Sequence, residues 1–415
     1  MRLGAAAKLP IAVGWAAAET RGDDLADDLL PLLGTAGSDG SVAQGYAAGR
    51  IEADGLDWLV RQIQRWTGGE SIAQQVGLLL AVTRPNEDLV AIVDGLHPNV
   101  QTAFWQHVNT MFIHPDARPI VARKLVDLRR PWGAIDLLVT MLHALSGAVE
   151  PDVDLVESAL MSAATGPSDD SPRAPSLSWE VGELLDYLER SGSNVETRAR
   201  LEFLYAHLLQ HTRTARALNE VLGTDPALFA EILAYIYYAE GEPHVEVSPE
   251  RRAIALVGFT VIREWHTPPG VRPDGTLDAD ALRSWVTEAR RLLAETGRTT
   301  IGDLAIGEVL AYSPPDPDGL WPAEPVRDLV EDLASPRLEE GLHTGKFNSR
   351  GITFRNPADG GAQERQLAAQ HRGSADRVSD RWPRTGALLR RMADHYDEWA
   401  RREDGQSEGF GDDGS

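Results

Sequence analysis

The chain has 415 residues, with 40 Lys plus Arg against 63 Asp plus Glu. Its net charge of -23 excludes a generic nucleic-acid coat, which needs a positive surface to displace counterions from phosphates. With 42% apolar residues, 38 Gly and 25 Pro it is neither collagen-like nor wholly disordered, and the absence of cysteine removes disulfides, thiolate zinc sites, iron–sulfur clusters and cysteine nucleophiles.

The first apolar stretch, Leu9 to Ala18 (LPIAVGWAAA), can be read as a weak signal peptide or as a buried or boundary helix that docks on a larger partner. Lys8 and Pro10 crowd its short core and an acidic helix from Glu19 to Leu33 follows at once, which favours the helix. No window approaches the ~18–20 apolar residues of a membrane span, so a soluble, cytoplasmic protein with no membrane partner is expected.

From residue 56 apolar residues recur at helical spacing, as in Leu56, Leu59, Val60 and Ile63, without strand-like alternation. The helices come in pairs, 56–67 with 70–83, 87–95 with 99–113 and 117–129 with 132–146, whose starts fall about thirty residues apart. This predicts an all-α fold, an irregular α-solenoid of paired helices with a C-terminal helical block, and a compact all-helical domain competes with it. Proline at Pro85, Pro98, Pro115 and Pro131 marks helix boundaries or first turns, where its missing N–H costs nothing.

Residues 165–178 (TGPSDDSPRAPSLS) lack apolar periodicity and read as a linker between a helical-repeat domain over 1–164 and a C-terminal helical domain over 179–402. In that domain Leu228 to Tyr238 is apolar nearly all round and predicts a central core helix. Helices are also expected over 250–265, 277–297, 324–333, 363–381 and 383–402, and 403–415 reads as a disordered acidic tail.

Chemistry-bearing motifs are sparse. Gly341-Leu-His-Thr-Gly345-Lys346 imitates a phosphate-binding loop, but only three residues separate its glycines and Phe347 follows the lysine where Ser or Thr would hold magnesium. His107, His114 and Asp116 are a possible ligand set without an HExxH, and Glu240, Glu242, His244 and Glu246 read most simply as a solvated loop. No cofactor and no metal are expected, and no hydrolase elbow, kinase set or dinucleotide fingerprint is present, which argues against an enzyme. Most of the eleven tryptophans are expected to pack helix joints, with a minority available as binding hot spots.

From Trp179 to Asp404 the phrases WEVGELLDYLE, DPALFAEILAYIYY, IGEVLAYSPPDPDGLWP, GLHTGKFNSRGITFRNPADGGAQERQLA and DRWPRTGALLRRMADHYDEWARRED resemble the C-terminal region of large, mostly uncharacterised bacterial helical-repeat proteins. Some of those are similar to the sensor arrays of STAND-type defence NTPases. The resemblance implies a recognition or scaffold role, with any catalytic effector on another domain or chain of a larger complex.

Residues 337–402 hold 13 Lys plus Arg against nine Asp plus Glu, a local balance of +4 in an acidic chain. Within them the expected loop 341–360 interleaves Lys346, Arg350 and Arg355 with Phe347 and Phe354, and Arg365 follows. Bases beside aromatics suit a phosphorylated ligand or a single-stranded nucleic acid, and they equally suit a loop pinned to acidic helices of its own chain. Two readings follow. The first is a non-enzymatic protein-binding scaffold, sensor or adaptor of a bacterial defence or regulatory assembly. The second is an effector acting on nucleic acid or a phosphorylated ligand through Lys346, Phe347, Arg350, Arg355 and Arg365. Neither involves general duplex binding, which the acidic exterior opposes.

Overall fold

The structure, a computed structural model, describes residues 9–65, 70–81, 83–144, 149–172, 176–210, 212–243, 247–350 and 360–412. Among these every regular element is a helix, and the one β feature is an isolated antiparallel bridge between Val271 and Leu277. The all-α class is therefore as expected. The chain divides into two compact units, Met1–Ser193 and Asn194–Ser415.

The first unit carries α1 (Pro10–Arg21), α2 (Ala26–Leu29), α3 (Ser38–Arg65), α4 (Glu70–Ala81), α5 (Glu87–Asp94), α6 (Pro98–His107), α7 (Arg118–Asp127), α8 (Pro131–Leu142), α9 (Val153–Thr165) and α10 (Leu177–Arg190). Punctuation follows the sequence chemistry. The Asn86 side chain accepts from Leu89 N at 2.9 Å to cap α5, and Pro98 and Pro131 open α6 and α8. The expected acidic helix 19–33 is instead broken at Gly22, whose φ of 54° is left-handed, into short 3₁₀ and α turns.

Residues 165–178 do not separate the units. Asp169 N donates to the Arg129 carbonyl at 2.7 Å, and Gly133 N donates to Asp170 Oδ2 at 2.8 Å, so an acidic side chain sits at the N-terminus of α8. The polar run is thus fastened to the α7–α8 turn. α10 stays with the first unit because Ser193 Oγ donates to Glu157 Oε1 at 2.6 Å and Tyr187 Oη donates to the Pro151 carbonyl.

The second unit carries α11 (Val195–Leu204), α12 (Ala206–Leu209), α13 (Arg216–Thr224), α14 (Pro226–Ile236), α15 (Pro249–Glu264), α16 (Ala279–Glu295), α17 (Thr299–Leu310), α18 (Glu324–Leu333), α19 (Pro336–Asn348), α20 (Ala362–Val378) and α21 (Pro383–Asp412). Its core is centred on Phe229, Trp265 and Trp285, whose ring centroids lie 5.1–5.7 Å apart. The expected tail from 403 continues α21 as far as Asp412.

Neighbouring helices do pair, as in α7 with α8 and α20 with α21, but much of the packing joins alternate helices: α1 with α3, α4 with α6, and α17 with α19. Each of these three crossings is lined by glycine. A Cβ at Gly14 or Gly45 would overlap backbone across α1 and α3, and one at Gly77 would meet Ala103 and Phe104 N. Between α17 and α19 the same holds for Gly307, Gly341 and Gly345, against the carbonyls of Leu338, Leu304 and Glu308. Backbones that approach this closely leave no space for a side chain, so the glycines select the partner helix.

The proline-rich segment before α18 folds around Arg327, which is fully buried. Its Nε donates to the Pro322 carbonyl at 2.7 Å, it pairs with Asp316 and Asp318, and its guanidinium lies 4.6 Å from the Trp382 ring centroid. Replacing Gly341 by Ala is expected to destabilise the protein by about 2 kcal/mol or more, the scale of an overpacked core. Gly373→Ala, at a helical glycine with open space around it, is expected to be neutral or stabilising by up to about 1 kcal/mol. Urea denaturation of the two variants checks the contrast.

Candidate functional site

The expected loop 341–360 is, over its first half, the C-terminal part of α19, and the imitation phosphate loop is a helical stripe. Gly341 and Gly345 stand one turn apart and both face α17, so neither presents backbone N–H groups to a ligand. Being helical places His343, Lys346 and Phe347 on neighbouring faces of one helical stem that points at α20 and α21, with Arg350 in the turn just past its end. Arg355 and Phe354 lie outside the described residues.

The position of α19 relative to α21 is set by carboxylates. Glu339, almost wholly buried, accepts from Arg384 Nε at 2.9 Å and pairs with Arg391. Glu331 accepts the N–H groups of Arg384 at 3.1 Å and Thr385 at 2.9 Å, placing negative charge at the N-terminus of α21. Arg365 pairs with Asp404 at 2.6 Å, and Asp404 also takes the Gly361 N–H at 2.9 Å. Asp404, expected in a disordered tail, thereby ties the start of α20 to the far end of α21.

Within this frame the bases turn inward. Lys346 Nζ sits 4.6 Å from the Trp321 ring centroid, and Arg350 lies 5.2 Å and 5.5 Å from the rings of Tyr396 and Trp399. Arg350 also faces Glu364, a fully buried carboxylate, at 3.9 Å. Phe347 stacks on His395 at 5.3 Å and tilts against Trp399 at 5.2 Å, while His371 stacks on Tyr396 at 5.5 Å. The structure thus joins Lys346, Phe347 and Arg350 in one cluster, and leaves Arg365 at its edge, exposed and neutralised by Asp404.

The cluster holds groups that sequence reading passed over: His343, Glu364, His371, His395, Tyr396 and Trp399. Their signal is helical spacing, with Glu364 and His371 seven apart on α20 and Tyr396 and Trp399 three apart on α21. His395 Nδ1 and His343 Nε2 are 3.1 Å apart, a contact in which one ring must supply the proton and the other the lone pair. Burial pushes His371 down to about 4, helped by the charges of Lys346, His343 and Arg350. Burial likewise lowers His343, with His395 and Arg391 adding to it, and lowers Lys346. These shifts mark a cationic, desolvated interior with His343 and His371 neutral at pH 7.

The other sequence candidates do not converge. His114 pairs with Asp116 at 2.7 Å on the surface while His107 ends α6, and no group of three metal-ligating side chains occurs among the described residues. Hydrogen bonds from the Thr300 side chain and from its N–H, the latter at 2.8 Å, hold Glu240 below its usual range, and Glu242 accepts Ala239 N at 3.0 Å. His244 and Glu246 lie outside the described residues. Neither family models, nor curated proteins, nor solved structures give a match to the chain.

Two predictions follow from the cluster. Replacing Lys346, Arg350 and Arg355 together by Ala is expected to lower stability by roughly 2–4 kcal/mol, since Glu364 loses the Arg350 cation and three cation–aromatic contacts vanish. Thermal melting checks this, and an unchanged midpoint together with lost ligand binding would make the cluster a binding site instead. His371 takes up a proton more readily when unfolded than when folded, so its contribution is complete above about pH 6.5 and is lost as pH falls toward about 4. Stability measured between pH 7 and pH 5 is therefore expected to fall less steeply in His371→Phe than in the parent.

Proposed function

We propose that this chain is a non-enzymatic, protein-binding helical scaffold, the sensor or adaptor part of a bacterial defence or regulatory assembly whose effector resides on another domain or chain. The observation that carries the reading is the set of large apolar side chains left in solvent on helices of each unit. Leu9 is 72% exposed and Ile11 54%, beside Trp15 on α1; Trp179 on α10 is 51% exposed and Leu256 on α15 is 64% exposed. Apolar groups on a helix face that no described element covers are what partner helices bury. No helix among the described residues is long and apolar enough to cross a membrane.

The bases once set against this reading support it. Lys346 and Arg350 are held over aromatic rings and Arg365 by Asp404, an arrangement that serves packing. The assembly itself is inferred from the resemblance of residues 179–404 to the C-terminal region of large bacterial helical-repeat proteins, some of them similar to sensor arrays, and the surface argument does not depend on it.

The test is site-specific photocrosslinking in cells of the source organism, with the reactive residue placed at Ile11, Trp179 or Leu256 and, as control, at exposed Glu196. Discrete adducts to a protein at one or more apolar positions, absent at Glu196 and removed by Asp substitution of the adjoining apolar residue, are expected. Equal labelling at all four positions, or none, overturns the scaffold reading.

A further inference from the structure

The segment Arg251 to Arg263 (RRAIALVGFTVIR) runs thirteen residues with three arginines and no carboxylate, in a chain where acids outnumber bases 63 to 40. It forms most of α15. Gly258 and Val261 turn to the core, with Gly258 lying against Ile232 and Ile236 of α14. The opposite face is spaced i, i+4, i+7, i+11 and consists of Arg252, Leu256, Phe259 and Arg263, all exposed.

This is an inverted amphipathic helix, with its larger apolar side chains in water. Leu256 is 64% and Phe259 47% exposed, although Val257 and Ile262 alongside are half-buried. The neighbouring α14, apolar nearly all round and expected to be a central helix, likewise leaves Tyr235 40% exposed. A helix of that composition is normally covered on every side.

Charge narrows what covers it. Arg251 reaches back to the Ala234 carbonyl at 3.5 Å, but Arg252 and Arg263 form no ion pair with a described residue. They stand at either end of the apolar pair, about 16 Å apart along the helix axis at the standard rise. Both cations are left for an external carboxylate, and the closed Arg–Leu–Phe–Arg pattern has the length of about three helical turns. We infer that this face of α15 docks an acidic amphipathic helix of a partner protein, whose apolar residues cover Leu256 and Phe259 and whose Asp or Glu side chains, one turn beyond at each end, pair with Arg252 and Arg263. A membrane surface fits less well: this face presents two arginines, whereas recognition of an anionic leaflet takes a cluster of about four to eight Lys or Arg. The inference names the partner chemistry for one surface of the proposed scaffold and so rests on that reading.

The experiment uses the full chain and a fluorescent synthetic helical peptide with Leu on one face and Glu one turn beyond at each end, together with its Glu→Lys counterpart. Fluorescence anisotropy is expected to show salt-sensitive binding of the acidic peptide at least tenfold tighter than of the basic one. The double variant Leu256→Asp/Phe259→Asp is expected to lose binding by about tenfold or more. Arg252→Glu/Arg263→Glu is expected to reverse the preference toward the basic peptide, a gain that misfolding does not produce. All variants are expected to melt like the parent, because the exchanged groups are solvent-facing. Equal binding of the two peptides, retention of binding in the Asp variant, or no reversal in the Glu variant overturns the inference. So does binding to phosphatidylserine vesicles with none to the peptides, or sedimentation showing that the Asp variant abolishes self-association of the parent. If the peptides fail while crosslinks at Ile11 or Trp179 persist, only this inference falls; if those crosslinks fail too, the scaffold reading falls with it.

Discussion

The close approach of helix backbones at glycine governs this fold. Where Gly307 on α17 meets Gly341 and Gly345 on α19, carbonyl oxygens of one helix occupy the space a Cβ would need on the other. That constraint has consequences beyond local packing. With α19 pressed on α17 along its glycine stripe, the remaining faces of α19 are committed to α20 and α21. Lys346, Phe347 and Arg350 are thereby aimed at rings and carboxylates of the same unit. Gly14 with Gly45, and Gly77 with Ala103, impose the same geometry on α1–α3 and α4–α6. At these three crossings glycine lets alternate helices become close neighbours.

Charge is distributed to suit this frame. Carboxylates that would be costly to bury alone are given cations or helix N-termini: Glu339 between Arg384 and Arg391, Asp303 held by Arg290 at 2.7 Å, Glu202 by Arg213 and the Leu218 N–H, Asp170 at the start of α8. Arg327 is the converse, a buried cation surrounded by Asp316, Asp318 and the Trp382 face. Such pairs contribute more to register than to net stability, because desolvation offsets much of the attraction. In the cluster of Lys346 and Arg350 cations outnumber carboxylates. The neutral state of His343 and His371 there follows from burial and from neighbouring positive charge, and it ties that part of the second unit to pH.

Against this interior, where buried carboxylates are given cations or helix N-termini, the apolar faces of α1 and α15 that no described element covers stand out. Their residues have the size and exposure of interface residues, and the arginines flanking Leu256 and Phe259 have no counter-ion in the chain's own described structure. A recognition role fits a protein whose ionisable groups are spent on holding helices together and whose apolar groups are partly left outside.

The all-α class was legible from the sequence, because the apolar period and the Pro, Asn and Asp boundary residues are local properties: Asn86, Pro98, Pro131 and the helix at 324–333 lie where the pattern puts them. The basic and aromatic character of 346–355 was equally visible, since composition needs no fold. Three things were decided by tertiary structure. The run 165–178 reads as a linker until Asp169 and Asp170 find the α7–α8 turn, partners about 40 residues away in sequence that no local pattern announces. Gly341 to Lys346 reads as a loop because two glycines within a short span weaken helix propensity, and only contact with α17 offsets that cost. And the direction in which Lys346 and Arg350 point depends on which helix lies opposite. Residue type sets what a side chain can bind; the packing of α19 between α17 and α21 determines that these two meet Trp321, Glu364, Tyr396 and Trp399.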